Sequence, residues 1–143
     1  TTYAPLPLKF EAGTPNFTGG ATLAPALEFA KEVMSDNYIE EEREKIDYLY
    51  HNLKAIDGLR LYGEGPNKIP VFSFSIEGIH HEDMALLLDK MGVAVRSGMM
   101  CAEPLMTRFG VTGMLRASLA PYNTLQECEI FIAALNRAVS MLR

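Results

Sequence analysis

Apolar and polar side chains alternate strictly from Val71 to Ile76, where Phe72, Phe74 and Ile76 are separated by two serines. Because successive side chains of a strand point to opposite faces, this segment predicts a strand with one buried face. Further short strands are predicted at 59–62, 93–95 and 114–119. Such a sheet needs a second layer of structure to cover its apolar face.

Helices are predicted to form that layer. Apolar residues at spacings of three and four predict a first helix, capped by Asn16 or Thr18, running through Asp36 and kinked at Pro25. The same period predicts helices at 38–55, at about 82–91, and from 123–126 to the C-terminus. The predicted fold class is α/β, of the α+β type, with a short, mostly antiparallel sheet covered by helices on one face.

The 143 residues, 48% of them hydrophobic, suffice for one core. Residues 1–15 contain three prolines and form no regular element of their own, so we predict an arm there and one small domain over 16–143.

Charge and composition exclude several classes of function. The net charge is -5 and basic residues do not cluster, which argues against a nucleic-acid or anionic-membrane partner. No run approaches the roughly 20 apolar residues that span a bilayer, and the first five residues lack the pattern of a signal peptide. We therefore expect a cytoplasmic protein, and the two cysteines predict neither a disulfide nor a metal site.

Cys101 is the candidate nucleophile. It follows a predicted strand in a loop where Arg96 supplies positive charge and Gly98 supplies backbone freedom, a setting that can lower a thiol pKa and expose the sulfur. The alternative is a buried cysteine that acts as a small hydrophobic residue. Cys128 lies among carboxylates on the last predicted helix and is interpreted as structural.

Two other positions have both a binding and a structural interpretation. Arg116 lies in an otherwise apolar strand, so its guanidinium needs either a substrate carboxylate or an internal Asp or Glu. Gly13 and Thr14 precede a predicted helix, where they can bind a phosphate or simply form an N-terminal turn. His80 and His81 are interpreted as loop residues before a helix.

Three blocks together, at 10–16, 93–106 and 116–124, resemble the C-terminal third of Suf-type (group II) cysteine desulfurases, and also selenocysteine lyases. These enzymes are class V aminotransferases, of fold-type I, and use pyridoxal phosphate. The resemblance implies that this chain is the small C-terminal domain of such an enzyme, beside a larger cofactor domain.

The resemblance also implies roles for five residues. Cys101 would take sulfur from L-cysteine as a persulfide, leave alanine, and supply a sulfur-acceptor protein for iron-sulfur cluster assembly. Arg116 would hold the substrate carboxylate, and Arg96 would lie near the active-site entrance. Thr14, with Gly13, would reach the cofactor phosphate of the partner subunit in a homodimer.

The sequence departs from this family at two places. Met99-Met100 stands where members commonly carry a histidine pair. None of the six lysines lies in the His-Lys context that binds the cofactor in this family, so we expect that lysine upstream of Thr1. The chain alone is then expected to be inactive and not to retain pyridoxal phosphate. Alternatives are a free-standing thiol module that relays persulfide sulfur without the cofactor, and a dimerisation domain with an inert Cys101.

Overall fold

A computed structural model describes residues 2–34, 37–65 and 67–143, which form two compact units. The first unit contains the opening segment, a 3-10 turn at Leu8–Phe10 and helix α1 (Phe17–Val33). The second unit begins at Asn37 and contains all the strands of the described residues. We therefore describe each unit by itself.

Helix α1 begins as the sequence predicts. Asn16, not Thr18, is the N-cap, and its side-chain oxygen accepts a hydrogen bond from the backbone N–H of Gly19 at 2.9 Å. The helix continues across Pro25 to Val33, and the predicted end at Asp36 lies outside the described residues. Helix α1 groups with the opening segment, so the two units divide after this helix.

The second unit is a four-stranded sheet with helices on both faces. Its elements in chain order are α2 (Tyr38–Lys54), β1 (Leu59–Tyr62), β2 (Val71–Ile76), α3 (His81–Lys90), β3 (Arg96–Gly98), α4 (Glu103–Phe109), β4 (Met114–Ser118) and α5 (Leu125–Leu142). The strand order is β1-β2-β4-β3, and every neighbouring pair is antiparallel. The predicted α+β class with an antiparallel sheet is confirmed.

The main core lies between one face of this sheet and helices α2, α3 and α5. Phe72 and Phe74 of β2 are fully buried there, as are Leu53 of α2, Leu88 of α3 and Leu135 of α5. Burial of such side chains contributes about 1.5–3 kcal/mol each. The alternation of β2 therefore has the predicted effect, and its serines face away from this core.

Helix α4 covers part of the other sheet face. Its Met106 is buried against Tyr62 of β1 and Met114 of β4, in a small second cluster. The sequence did not predict α4. The prediction that helices cover one face of the sheet only is therefore wrong. Pro104 near its first turn and Gly110 after its last residue, in the left-handed conformation, mark its two ends.

The predicted strand at Val93–Val95 is also wrong. The third strand of the sheet is β3, Arg96–Gly98, directly after that segment. The N–H of Val93 donates to the carbonyl of Leu88 and so completes the end of α3, while both valines pack against the core. Their apolar character reflects this packing, because strand propensity measures fit to a half-buried surface more than strand pairing itself.

None of the helices of the described residues is long and apolar enough to cross a membrane.

Candidate active site

Strands β3 and β4 bring two arginines together. In their antiparallel register Arg96 lies directly opposite Arg116, so both side chains leave the same face of the sheet. On its other side, Arg116 lies opposite Ser73 of β2. This is the face turned away from the main core, and it therefore carries two positive charges side by side.

Arg116 is half-buried, and its Nε is fully buried without a hydrogen-bond partner among the described residues. No carboxylate of the described residues forms a salt bridge with it. A buried donor left unpaired costs about 1–3 kcal/mol. The internal Asp or Glu that the sequence left open is therefore not found there, and the side chain remains partly exposed to an acceptor from outside.

Cys101 lies in a tight turn between β3 and α4. Met100 and Cys101 both have φ of 57°, and the N–H of Ala102 donates to the carbonyl of Met99 at 2.9 Å. Residues other than glycine pay about 1–2 kcal/mol to enter this left-handed region. The turn exposes Cys101, which decides against the buried interpretation, whereas Cys128 is only 1% exposed.

An open cavity of about 570 Å³ lies at this turn. The thiol of Cys101 shares its lining with Arg96, Met100 and Glu103. A space of this size can hold a small molecule, and Arg96 gives it a fixed positive charge. The arrangement places an accessible nucleophile at a cavity lined by one cation, Arg96, and one carboxylate, Glu103, beside the strand pair that also carries Arg116.

Gly13 and Thr14 belong to the first unit, so the structure does not relate them to Cys101. Both are exposed, Gly13 has φ of 80°, and no atom lies within 4 Å of the position that a Cβ on it would occupy. Asn16, and not Thr14, makes the cap of α1. The Thr14 hydroxyl has no hydrogen-bond partner among the described residues. This turn is therefore open to a phosphate, and the residues fit that part of the cofactor.

The lysines fit the remainder of the cofactor poorly. Lys45 is buried and donates to the carbonyl of Asn123 at 2.8 Å, and Lys54 pairs with Glu64. No lysine of the described residues lines the cavity at Cys101. The described residues also contain no group of three or more His, Cys, Asp or Glu that could hold a metal ion.

The two histidines before α3 are more than loop residues. His80 is the N-cap, and its Nδ1 accepts a hydrogen bond from the N–H of Glu82 at 3.3 Å. His81 is the first residue of the helix, and its Nδ1 is buried without a partner among the described residues. Burial, followed by the neighbouring His80, lowers the pKa of His81 below its ordinary value. The sequence offered only the position before a helix as a signal for these roles.

Comparison with known proteins agrees with the sequence resemblance. Residues 1–131 match the aminotransferase class-V family. A probable cysteine desulfurase of Xylella fastidiosa (strain Temecula1) is 49% identical over 136 residues, which cover 95% of this chain and 33% of that protein. A probable cysteine desulfurase of Vibrio cholerae is 42% identical, over 99% of this chain and 35% of that protein.

Solved structures show the same similarity. The cysteine desulfurase CsdA of Escherichia coli, in its S-sulfonic acid form, superposes with a TM-score of 0.79 at 35% identity, over 96% of this chain and 34% of that one. The apo cysteine desulfurase of Thermococcus onnurineus NA1 gives a TM-score of 0.81 at 32% identity, over 94% and 34%. The chain spans about a third of the length of the curated relatives it matches.

Proposed function

Because the chain belongs to the aminotransferase class-V family, we propose that it is the C-terminal part of a pyridoxal-phosphate-dependent cysteine desulfurase. In this proposal Cys101 accepts the sulfur of L-cysteine. The relatives named as cysteine desulfurases support the reaction class. In this proposal the reaction belongs to the parent protein, of which the chain is one part.

One observation carries the proposal. The strand pair β3–β4 holds an exposed thiol, in the turn after β3, and a guanidinium on β4 whose buried Nε has no partner among the described residues. An amino acid that carries both a carboxylate and a sulfur has one group for each of these sites. L-Cysteine is the simplest such molecule.

The residues divide the work between binding and attack. Arg116 binds the substrate carboxylate through its guanidinium, with which no carboxylate of the described residues forms a salt bridge. The sulfur of Cys101 forms an S–S bond with the substrate sulfur while the substrate C–S bond breaks. The carbon keeps the bonding electron pair and takes up a proton. One thiol proton thus ends on carbon, so two thiols become a persulfide and alanine without an external oxidant.

The cofactor would be held in part by the first unit. Gly13 and Thr14, in the open turn before α1, would contact its phosphate from the partner subunit of a homodimer. Pyridoxal phosphate, when bound, supplies the electron sink for the breaking C–S bond. The lysine that anchors it belongs to the larger cofactor domain, so the 143 residues alone neither retain the cofactor nor release sulfur.

The exposure of Cys101 also supports a later transfer step. A thiol in an exposed turn, beside the half-exposed Met99, can present its persulfide to a sulfur-acceptor protein. We propose that this acceptor serves iron-sulfur cluster assembly in the cytoplasm. Met99 and Met100 carry no titratable proton, so this turn performs the transfer without the histidines that the resemblance leads one to expect.

The test uses the parent protein with its cofactor, and compares Cys101→Ala with Cys128→Ala. After incubation with L-cysteine, mass spectrometry should find one added sulfur on Cys101 in the wild type and in Cys128→Ala. Cys101→Ala should lose the persulfide and the alanine produced with it, while the visible absorbance of the cofactor stays unchanged. Cys128 is a suitable control because burial raises its pKa and it is almost inaccessible.

Two outcomes would contradict the proposal. Persulfide and alanine formation that persist in Cys101→Ala would make this thiol inert. A parent protein that binds no pyridoxal phosphate, but whose Cys101 takes sulfur from a small-molecule persulfide, would instead identify a thiol relay module. If the parent protein releases selenium from selenocysteine but no sulfur from L-cysteine, it is a selenocysteine lyase.

A further inference from the structure

The imidazole of His81 lies flat against Gly113. Its Cδ2 and Cε1 lie 2.8 and 2.9 Å from the position that a Cβ on Gly113 would occupy, and its Nε2 is nearer still. Real Cβ atoms do not approach other atoms so closely, so a side chain at 113 would displace the ring or the backbone. Gly113 is itself buried and does not have a positive φ. The space taken by the ring, and not the backbone conformation, therefore makes glycine the residue that fits here without a shift of His81.

This contact lies at the start of the strand that carries Arg116. Gly113 directly precedes β4, and Arg116 is the third residue of that strand. Helix α3, which begins with His81, packs against both β3 and β4. The ring thus joins the start of α3 to the point where the chain enters β4.

We propose that His81 is a positioning residue for the substrate-binding arginine: its neutral ring, packed on Gly113, sets the start of β4 and thereby the place of Arg116. The inference rests on the proposed function, because it assumes that Arg116 binds the substrate carboxylate. His81 does not touch the substrate and acts only through β4.

The charge of the ring matters because its surroundings do not accommodate a cation. The buried Nδ1 has no acceptor among the described residues, and burial lowers the pKa of His81. His80 stacks on it at 4.3 Å between ring centroids and disfavours its protonation, while Glu82 opposes this effect. Arg60, Tyr62 and Glu77 line the same cavity of about 510 Å³, and residues 110–113 contribute no titratable group. A proton on His81 would thus add a charge to a partly buried ring whose Nδ1 has no acceptor among the described residues, and would weaken its packing on Gly113.

The first experiment uses double-mutant kinetics in the cofactor-loaded parent protein. Gly113→Ala should raise the KM for L-cysteine by about tenfold, with a smaller change in kcat, because Arg116 is displaced while Cys101 is not. His81→Ala should raise KM by itself, because the ring no longer packs on Gly113. Removing the ring as well, in Gly113→Ala/His81→Ala, should bring KM back down from the Gly113→Ala value to about that of His81→Ala alone, since the two residues are in contact and the collision is gone. Gly65→Ala is the matched control, because Gly65 has neither a positive φ nor an atom within 4 Å of a built Cβ.

The second experiment follows KM against pH. In the wild type KM for L-cysteine should rise as pH falls below 6.5, the ordinary histidine pKa, as His81 becomes protonated. His81→Phe keeps a flat ring and cannot be protonated, so its KM should stay near that of wild type at pH 8 and lose this acid rise. If Gly113→Ala does not fold, this pH comparison decides the question alone.

The outcomes separate this inference from the proposed function. If Arg116→Lys leaves the KM unchanged, the assignment of Arg116 fails. If Arg116→Lys raises KM while Gly113→Ala does not, or if the double variant is not rescued, the positioning role of His81 is overturned and the proposed function stands. An acid rise that is identical in wild type and His81→Phe overturns it equally.

Discussion

Arg116 is expected to lower the stability of the unliganded chain, and replacing it with methionine should raise that stability. Its buried Nε has no hydrogen-bond partner among the described residues, and such a donor costs about 1–3 kcal/mol. It also lies directly opposite Arg96, and like charges so placed cost up to about 1 kcal/mol. Methionine keeps most of the apolar stem and removes both costs, so Arg116→Met should stabilise the chain by about 2 kcal/mol.

Urea denaturation of the 143-residue chain measures this effect. With a slope of about 2 kcal/mol per molar urea, the transition midpoint should rise by about 1 M. Arg96→Met is the control, because Arg96 is exposed and its removal relieves only the charge repulsion, so its midpoint should rise by less than about 0.5 M. A midpoint that falls in Arg116→Met, or that moves equally in both variants, would refute the reasoning from the buried donor.

Three further perturbations test other contacts. Lys45→Met removes the hydrogen bond from a buried ammonium to the carbonyl of Asn123. It should lower the free energy of unfolding, measured in urea, by about 1.5–3 kcal/mol. Lys90 is exposed, so Lys90→Met should change this free energy little. Thr124→Ala removes the side-chain cap of α5 and should cost about 1 kcal/mol. This variant keeps the backbone N–H of Thr124, which chiefly holds the pKa of Glu127 below its ordinary value, so that pKa should stay low by NMR, and a return to the ordinary value would contradict this cause. Folding lowers the pKa of His81, so the unfolded chain binds more protons than the folded chain as the pH falls below 6.5. The stability that this contributes above pH 6.5 should therefore be lost as pH falls below it. Thermal unfolding followed between pH 7 and 5 should show a shallower loss of stability in His81→Phe.

The periodicity of the sequence predicted most elements because each has one buried face. The alternation in β2 and the three-and-four spacing in α5 persist in the structure, since Phe72, Phe74 and Leu135 all point into one core. Periodicity did not predict the right element where a segment is buried without pairing in the sheet, or where a helix is very short. Val93 and Val95 pack on the core without joining the ladder, and α4 is a helix of only seven residues with one buried side chain, too short to show a period.

The site was predictable in its residue types but not in its geometry. The sequence showed that Arg116 needs a partner and that Cys101 follows a strand. It could not show that Arg96 lies opposite Arg116, because a register shift of one residue would place one of them on the other face. It also could not show the left-handed turn at Met100 and Cys101, since neither residue type favours positive φ. That turn depends on its connection to β3 and α4.

The two faces of the sheet contribute differently to stability, and this difference supports a role for the second face in binding. The face toward α2, α3 and α5 is apolar and closely packed, and it provides most of the favourable burial. The opposite face carries paired arginines, and the turn beside it is strained. Both features cost free energy in the unliganded chain. Binding of a carboxylate at Arg116 would recover part of that cost, because it neutralises one of the two charges that repel each other. The same contact would reduce the gain in stability expected from Arg116→Met. A saturating concentration of a carboxylate that binds Arg116 should therefore narrow the difference in the free energy of unfolding between the wild type and this variant.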